Sequence, residues 1–299
     1  MRRKKENKDS FDTSGAAATG DQPTLIVALE QNFPSEQRII EDSLAVQILP
    51  GSYRFWIYMT KIPTLRNWMV NATEKALQGG WSAFLVRKRY IDERLIEAVA
   101  EKIVNAVVNL GAGFDTRLYR LSEVQHIPAW EIDQAVNINA KRKGIQKAFG
   151  AVPNHVKLVT INFIEQDVAD VLNEQGYSGN EKTFFIWEAV SQYLTESAVR
   201  KTFDFFAKAP AGSRLAFTYV LKDFITGKNL YGQDKIYKKT VKLWHLGFDP
   251  DQLTDFLNKY GWRLIEDISY AELGDRYVKP TGRKLGAMKI ERMVYAEKI

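Results

Sequence analysis

The sequence predicts an α/β protein built on a doubly wound, mostly parallel seven-stranded sheet. Three observations carry that expectation. From residue 104 onward, short β-branched or apolar runs alternate with amphipathic segments, the pattern of successive βαβ units. The first of these runs ends in a glycine turn, Gly111-Ala112-Gly113, which leads into a helical segment. The second ends in Trp130-Glu131-Ile132-Asp133, placing a carboxylate 20 residues after the last glycine. Open sheets of this kind bind ligands outside the carboxyl ends of their strands, where the strand order reverses.

Each element can be justified in turn. Residues 1–22 are polar and begin with the run Arg2-Arg3-Lys4-Lys5, which reads as a solvated, disordered tail. From 23 to 102 apolar residues recur at helical spacing, with Ile91, Leu95, Val99 and Ile103 on one stripe. This stretch is rich in rings, among them Trp56, Trp68, Trp81 and Phe84. It fits an N-terminal helical lid whose aromatics form its own core, line a substrate pocket, or do both. Strands are expected at 104–110, 127–133, 156–162, 183–190 and 213–220, and helices at 135–148, 166–173 and 195–208. Pro128 opens the second strand, a position that does not need its N–H. Residues 223–246 mix Lys, Tyr and Gly with Trp244 and read as a cover inserted into a core spanning 103–299. A helix at 250–260 stops at Gly261. Runs at 263–270 and 286–296, joined by a polar basic loop, then form a C-terminal β-hairpin that puts an antiparallel strand at one end of the sheet.

Composition narrows the function classes. The 299 residues include no cysteine and only three histidines, which removes thiolate metal sites, cysteine nucleophiles and disulfides and fits a reducing, cytoplasmic setting. No apolar run approaches the ~20 residues of a membrane span. The formal charge of +6 is spread along the chain apart from the first residues, so a nucleic-acid partner is disfavoured. A small-molecule acceptor, acidic or aromatic, is the expected partner.

The glycine turn lets backbone approach a ligand without a Cβ in the way. Glu131 and Asp133 are two apart on a strand and face the same side, where either could take ribose hydroxyls. A dinucleotide site would carry a third glycine; here Thr116 occupies that position in Gly111-Ala112-Gly113-Phe114-Asp115-Thr116. A cofactor without a pyrophosphate, such as an adenosyl sulfonium, fits better than NAD.

The glycine motif, Glu131-Ile132-Asp133 and the run Trp187-Glu188-Ala189-Val190-Ser191-Gln192-Tyr193-Leu194-Thr195 together resemble the leucine carboxyl methyltransferase-like family, which includes bacterial S-adenosylmethionine-dependent O-methyltransferases of secondary metabolism. The resemblance extends from about residue 36 onward and takes in Arg87-Lys88-Arg89-Tyr90-Ile91-Asp92, the strand at 212–217 and Gly261-Trp262. It implies the class I methyltransferase fold, Rossmann-like in its sheet. S-adenosylmethionine would be the cofactor, leaving as S-adenosylhomocysteine, with no metal. It also implies that Arg87, or else Arg89, holds the methionine carboxylate, for which a guanidinium is suited. Gly111 and Gly113 would face the methionine and ribose, Asp133 or Glu131 the ribose hydroxyls, and Glu188 would lie close to the cofactor. The family shows Asp followed by Leu or Phe at the third strand's end, to read the adenine. Here the aligned pair is Asn162-Phe163, with Asp167 as the counterpart if the register slips.

Methyl transfer from a sulfonium is an in-line displacement that needs alignment and a dry site more than a protein nucleophile. No general base stands out, which favours a carboxylate acceptor, ionised at neutral pH, over a phenol or an amine. Tyr193, Tyr219, His245, Arg276 and Tyr277 are candidate acceptor contacts, and Lys222 or Lys228 could hold an acidic group. Two readings of other classes remain: an NAD(P)-dependent oxidoreductase, and a non-catalytic cofactor-binding scaffold, to which Asn162 gives the support.

Overall fold

The computed structural model describes residues 21–163 and 165–299. The basic run at residues 2–5 and the expected tail as far as residue 20 lie outside them, whereas Asp21 and Gln22, expected in that disordered tail, cap and open the first helix. The chain begins with helices α1 (Gln22–Glu30), α2 (Leu44–Ile48), α3 (Arg54–Met59), α4 (Pro63–Ala76) and the long α5 (Gly80–Ala100). The sheet then starts with β1 (Ala106–Leu110), followed by the short α6 (Arg117–Arg120), β2 (Ala129–Asp133), α7 (Ala135–Phe149), β3 (Val156–Thr160) and α8 (Val168–Glu174). Its second half holds β4 (Thr183–Trp187), α9 (Glu196–Ala207), β5 (Arg214–Val220), α10 (Lys222–Ile225), α11 (Asp234–Thr240) and α12 (Pro250–Lys259). It closes with β6 (Trp262–Ser269), α13 (Tyr270–Tyr277) and β7 (Glu291–Lys298).

The seven strands run in the order β3-β2-β1-β4-β5-β7-β6, and only β7 is antiparallel to its neighbours. Every residue of β1, β2 and β4 is buried, as expected for central strands covered on both faces. Alternation divides them between two cores. Val107, Phe184, Ile186 and Ala216 face a cluster shared with α1, α2 and α5. Val108, Leu110, Phe185, Trp187 and Phe217 face a second cluster shared with α9 and α12. There the Trp187 ring meets Phe203 and Phe206 edge-on at 5.8 and 5.7 Å, the geometry favoured by the ring quadrupoles. The N-terminal helices thus share one apolar core with a face of the sheet.

The class expected from the sequence is the class observed, with several local corrections. The third strand stops at Thr160 and the fourth at Trp187, short of the ends expected at 162 and 190. Ala189 stands at φ +58°, a left-handed conformation that cannot extend a strand. The antiparallel strand lies one in from the edge, between β5 and β6, and β6 is the outermost strand. The connection read as a basic loop contains α13. This helix opens with a capping box in which the Ser269 hydroxyl accepts from the Glu272 N–H while the Glu272 carboxylate accepts from the Ser269 N–H.

The strand order reverses between β1 and β4, so the loops after these two strands diverge to opposite faces of the sheet. A cleft opens between them at their carboxyl ends, and β2 contributes its tip from the side.

Candidate functional site

A cavity of about 710 Å³ occupies this cleft. Its floor is the glycine turn after β1. Gly111 has φ +70°, and a Cβ there would overlap Val190 Cγ2 from the loop after β4. Only glycine lets these two loops approach so closely. Gly113, at φ +45°, directs its N–H to Asp133 Oδ2 at 2.6 Å. Asp133 Oδ1 accepts from the Gln134 N–H at 2.6 Å and from Asn137 Nδ2 at 2.9 Å. The tip of β2 is thereby tied to the turn. Burial raises the Asp133 carboxyl above its ordinary range, and the bonds from Asn137, Gly113 and Gln134 only partly offset this. A carboxylate offers about four acceptor sites, so these three bonds leave it room for one more donor.

A buried ion cluster forms one wall. Glu188, just past the end of β4, accepts from Arg87 Nε at 2.7 Å and from Arg117 Nη2 at 2.9 Å, with Lys88 Nζ at 3.5 Å. Asp115 pairs with Lys88 at 3.2 Å and Arg117 at 2.8 Å. Burial alone would raise both carboxyls. The surrounding cations outweigh it and hold Glu188 and Asp115 below the usual carboxylate range. Arg87 also reaches Glu291 of β7, at 3.5 Å. Glu291 has a weaker countercharge, and burial pushes its carboxyl up. Behind this wall Arg120 binds Asp92, and Thr116 binds Asp42, in the same charged layer.

Two buried polar atoms on the lining have no hydrogen-bond partner among the described residues: Asn109 Nδ2 and Gln192 Oε1. Buried amide groups left unmade are costly, and a ligand in the cavity is the natural partner for such atoms. The far end of the cavity is closed by α11 and the residues after it. Ile236, Leu243 and Trp244 supply apolar surface there, and Lys239, Lys242 and His245 stand at the exposed rim. The His245 N–H donates to the Gln192 carbonyl at 2.7 Å, linking this cover to the loop after β4. All four acids on the lining (Asp115, Asp133, Glu188 and Glu291) belong to the strand-tip end.

The structure gathers Arg87, Gly111, Gly113, Asp133, Phe163, Glu188, Tyr193 and His245 around one cavity. The other candidates lie elsewhere. Glu131 is fully buried beneath the turn, where Lys141 Nζ at 2.7 Å and the Tyr119 hydroxyl at 2.7 Å bind it; it faces the same side as Asp133 but one layer deeper. Arg89 points away, to Glu93 at 3.0 Å, the Ile39 carbonyl at 3.0 Å and the Tyr277 ring. On a helix, residues 87 and 89 lie on opposite sides, so only one of them can face the cleft. Asn162 is exposed and outside the lining, because β3 ends before it. Asp167 is the N-cap of α8, accepting from the Ala169 and Asp170 N–H groups. Tyr219 is buried in the second core with its hydroxyl on Asp267, Arg276 pairs with Glu266, and Tyr277 bonds Glu93. Of the aromatics expected in the lid, Phe84 lines the cavity, whereas Trp81 is core and Trp56 and Trp68 are exposed.

Asn109, Lys88, Asp115, Arg117, Gln192 and Glu291 were not singled out from sequence. Five of them lie within or beside motifs that were, so position next to a motif is a usable signal. Glu291 sits in an unremarkable strand 204 residues from the arginine it meets, and only the fold brings it to the site. No group of three or more His, Cys, Asp or Glu able to hold a metal occurs among the described residues.

Comparison with known proteins follows the same outline. A family model described as leucine carboxyl methyltransferase matches residues 22–207. YktD of Bacillus subtilis, provisionally named an S-adenosyl-L-methionine-dependent methyltransferase, is 26% identical over 200 residues, 64% of this chain and 64% of that one. A provisionally named methyltransferase of Mycobacterium marinum is 28% identical over 193 residues, covering 60% of this chain and 61% of its own. The matches therefore span somewhat under two-thirds of these relatives. Among solved structures, a provisionally named methyltransferase from Thermobifida fusca superposes with a TM-score of 0.57 at 14% identity, covering 78% of this chain and 88% of that one. A DUF574 family protein from Streptomyces avermitilis gives 0.53 at 13% identity, covering 79% and 91%. These last two likenesses are of fold.

Proposed function

As the chain belongs to the leucine carboxyl methyltransferase family, we propose that it transfers a methyl group from S-adenosylmethionine to an oxygen of a small molecule, with a carboxylate as the favoured acceptor. The observation that carries this reading is the polarity of this cavity, acidic at the strand tips and apolar with a basic rim beneath the cover.

The residues at the strand tips fit the cofactor. Four carboxyl groups against Arg87, Lys88 and the buried Arg117 suit a ligand with net positive charge, and the unpartnered Asn109 amide and the glycine floor leave polar contacts and space for it. Arg87 would hold the methionine carboxylate, Asp133 one of the ribose hydroxyls and Phe163 a face of the adenine. Glu188 keeps Arg87, Lys88 and Arg117 in register. When bound, the cofactor supplies an already activated methyl group. The protein then has to align the acceptor and exclude water.

The cover end supports an acidic acceptor. No acid lines it, Lys239 and Lys242 favour an approaching anion, and Trp244, Leu243 and Ile236 suit an apolar body. An ionised carboxylate needs no proton removed, whereas a phenol or an amine would want a base, and none stands buried at this end among the described residues. The absence of cysteine fits a reducing, cytoplasmic setting.

Calorimetric titration with S-adenosylmethionine, S-adenosylhomocysteine and NADH in parallel tests the cofactor. The adenosyl pair should bind and NADH should not; binding of NADH alone would replace this reading with a dehydrogenase. Incubating the enzyme with labelled cofactor and a panel of carboxylic acids and phenols tests the acceptor. Alkali-labile label in the acid panel is expected, whereas alkali-stable label on phenols alone would reject the carboxylate.

A further inference from the structure

The solvent-facing side of α3 and α4 is aromatic to a degree that the cavity does not explain. Phe55, Trp56, Tyr58, Ile62 and Trp68 are 63, 49, 66, 46 and 62% exposed. Elsewhere among the described residues, the only other comparably open ring is Phe149. Phe55 and Trp56 meet edge-on at 5.6 Å, and apolar exposure concentrated in one short stretch of chain marks an interaction surface. Ile57 and Val70 anchor the two helices inward, so the rings are displayed by a packed scaffold.

The charge pattern identifies the kind of partner. From Ser43 to Thr73 there is no acidic residue. Arg54 and Lys61 are exposed on this face, and neither forms an ion pair among the described residues; Lys61 Nζ lies 5.4 Å from the Tyr58 ring centre. Self-association through a twofold interface would set this patch against itself, bringing uncompensated cations together around the rings. An anionic partner complements it. Tryptophan and tyrosine settle at the headgroup level of a bilayer, with an apolar body below and a polar edge above, and basic side chains beside them bind anionic lipid.

We propose that the α3–α4 face docks the protein on an anionic lipid surface. α4 leads directly into Leu77, which lines the cavity together with Phe84. Docking would bring this part of the cavity wall close to the lipid, within reach of an acceptor with an apolar body held there. The docking step itself is independent of the methyl-transfer reading.

Co-sedimentation of the full chain with phosphatidylcholine vesicles, with and without phosphatidylglycerol, tests the inference, with tryptophan emission recorded in parallel. Binding to the anionic vesicles with a blue shift is expected, together with at least about tenfold weaker binding to phosphatidylcholine alone. The double variant Trp56→Ser/Trp68→Ser should lose about tenfold in partitioning while its thermal midpoint stays close to that of the parent. Arg54→Gln/Lys61→Gln should lose the preference for anionic lipid. Changing Arg2, Arg3, Lys4 and Lys5 to Gln in the full chain should leave most of the binding. The proposal is overturned if no vesicle is bound, if the tail change alone abolishes binding, or if sedimentation velocity shows a dimer that the tryptophan variant disperses.

Discussion

Ala189 holds a left-handed backbone, φ +58°, at the point where β4 gives way to the loop carrying Glu188 and Val190. Its N–H is fixed by the Thr218 hydroxyl at 2.8 Å, so the strain is locked in by β5. A non-glycine residue there costs on the order of 1 kcal/mol. Ala189→Gly should therefore raise the thermal midpoint by about 2 °C in a melting experiment. Asp133 is the residue on which the ribose assignment turns. Asp133→Asn should weaken S-adenosylmethionine binding about tenfold by calorimetry, as an accepting carboxylate is replaced by a half-donating amide, while near-ultraviolet circular dichroism stays unchanged. Single residues were legible from sequence where a motif fixes the backbone, as at Gly111, Gly113 and Asp133. They were not legible where two candidates differ only in depth or direction. Glu131 and Asp133 share a face, yet one is sealed by Lys141 and the other opens on the cavity.

At the scale of elements, α13 carries a signal that the sequence offered in plain view, Ser269-Tyr270-Ala271-Glu272, a capping-box spacing directly after a strand. The basic residues and Pro280 that follow made the whole segment read as loop. Ser269→Ala should cost about 1 kcal/mol in chemical denaturation. The strands of the central sheet were read closely because they are fully buried apolar runs; their ends were overrun because nothing in composition marks where a chain leaves a sheet. The junction of α5 with β4 carries a pH dependence. Glu188 is held below the ordinary carboxylate range in the folded protein, so the unfolded chain takes up its proton first as the pH falls. Its stabilisation is complete above that range and is lost as acid carries the solution down through the folded value. Glu188→Gln should lower stability by about 3 kcal/mol at neutral pH, by stranding three cations. From about pH 4 downward the gap between the parent and variant denaturation midpoints should narrow progressively.

Across the whole molecule, the site is assembled from parts far apart in the chain, and this decides how much could be read in advance. The strand-tip end of the cavity is made mostly of motif residues, which a doubly wound topology gathers automatically. The opposite end is made by α11 and its flanks, an insertion whose placement over the cleft no local pattern reveals. Lys239→Gln/Lys242→Gln should raise KM for a carboxylate acceptor several-fold at low salt, with kcat little changed, if the rim steers anions; the difference should shrink in high salt as screening takes over. The position of β7 has a consequence in time. It leaves the ribosome after both β5 and β6, yet it fills the gap between them. Until it arrives, β5 presents an open edge, β6 has no neighbour, and Glu291 is missing from the wall around Arg87. A growing chain can therefore complete the first five strands but not the working pocket, and this interval, with one sheet edge bare, is when the nascent protein most needs a chaperone.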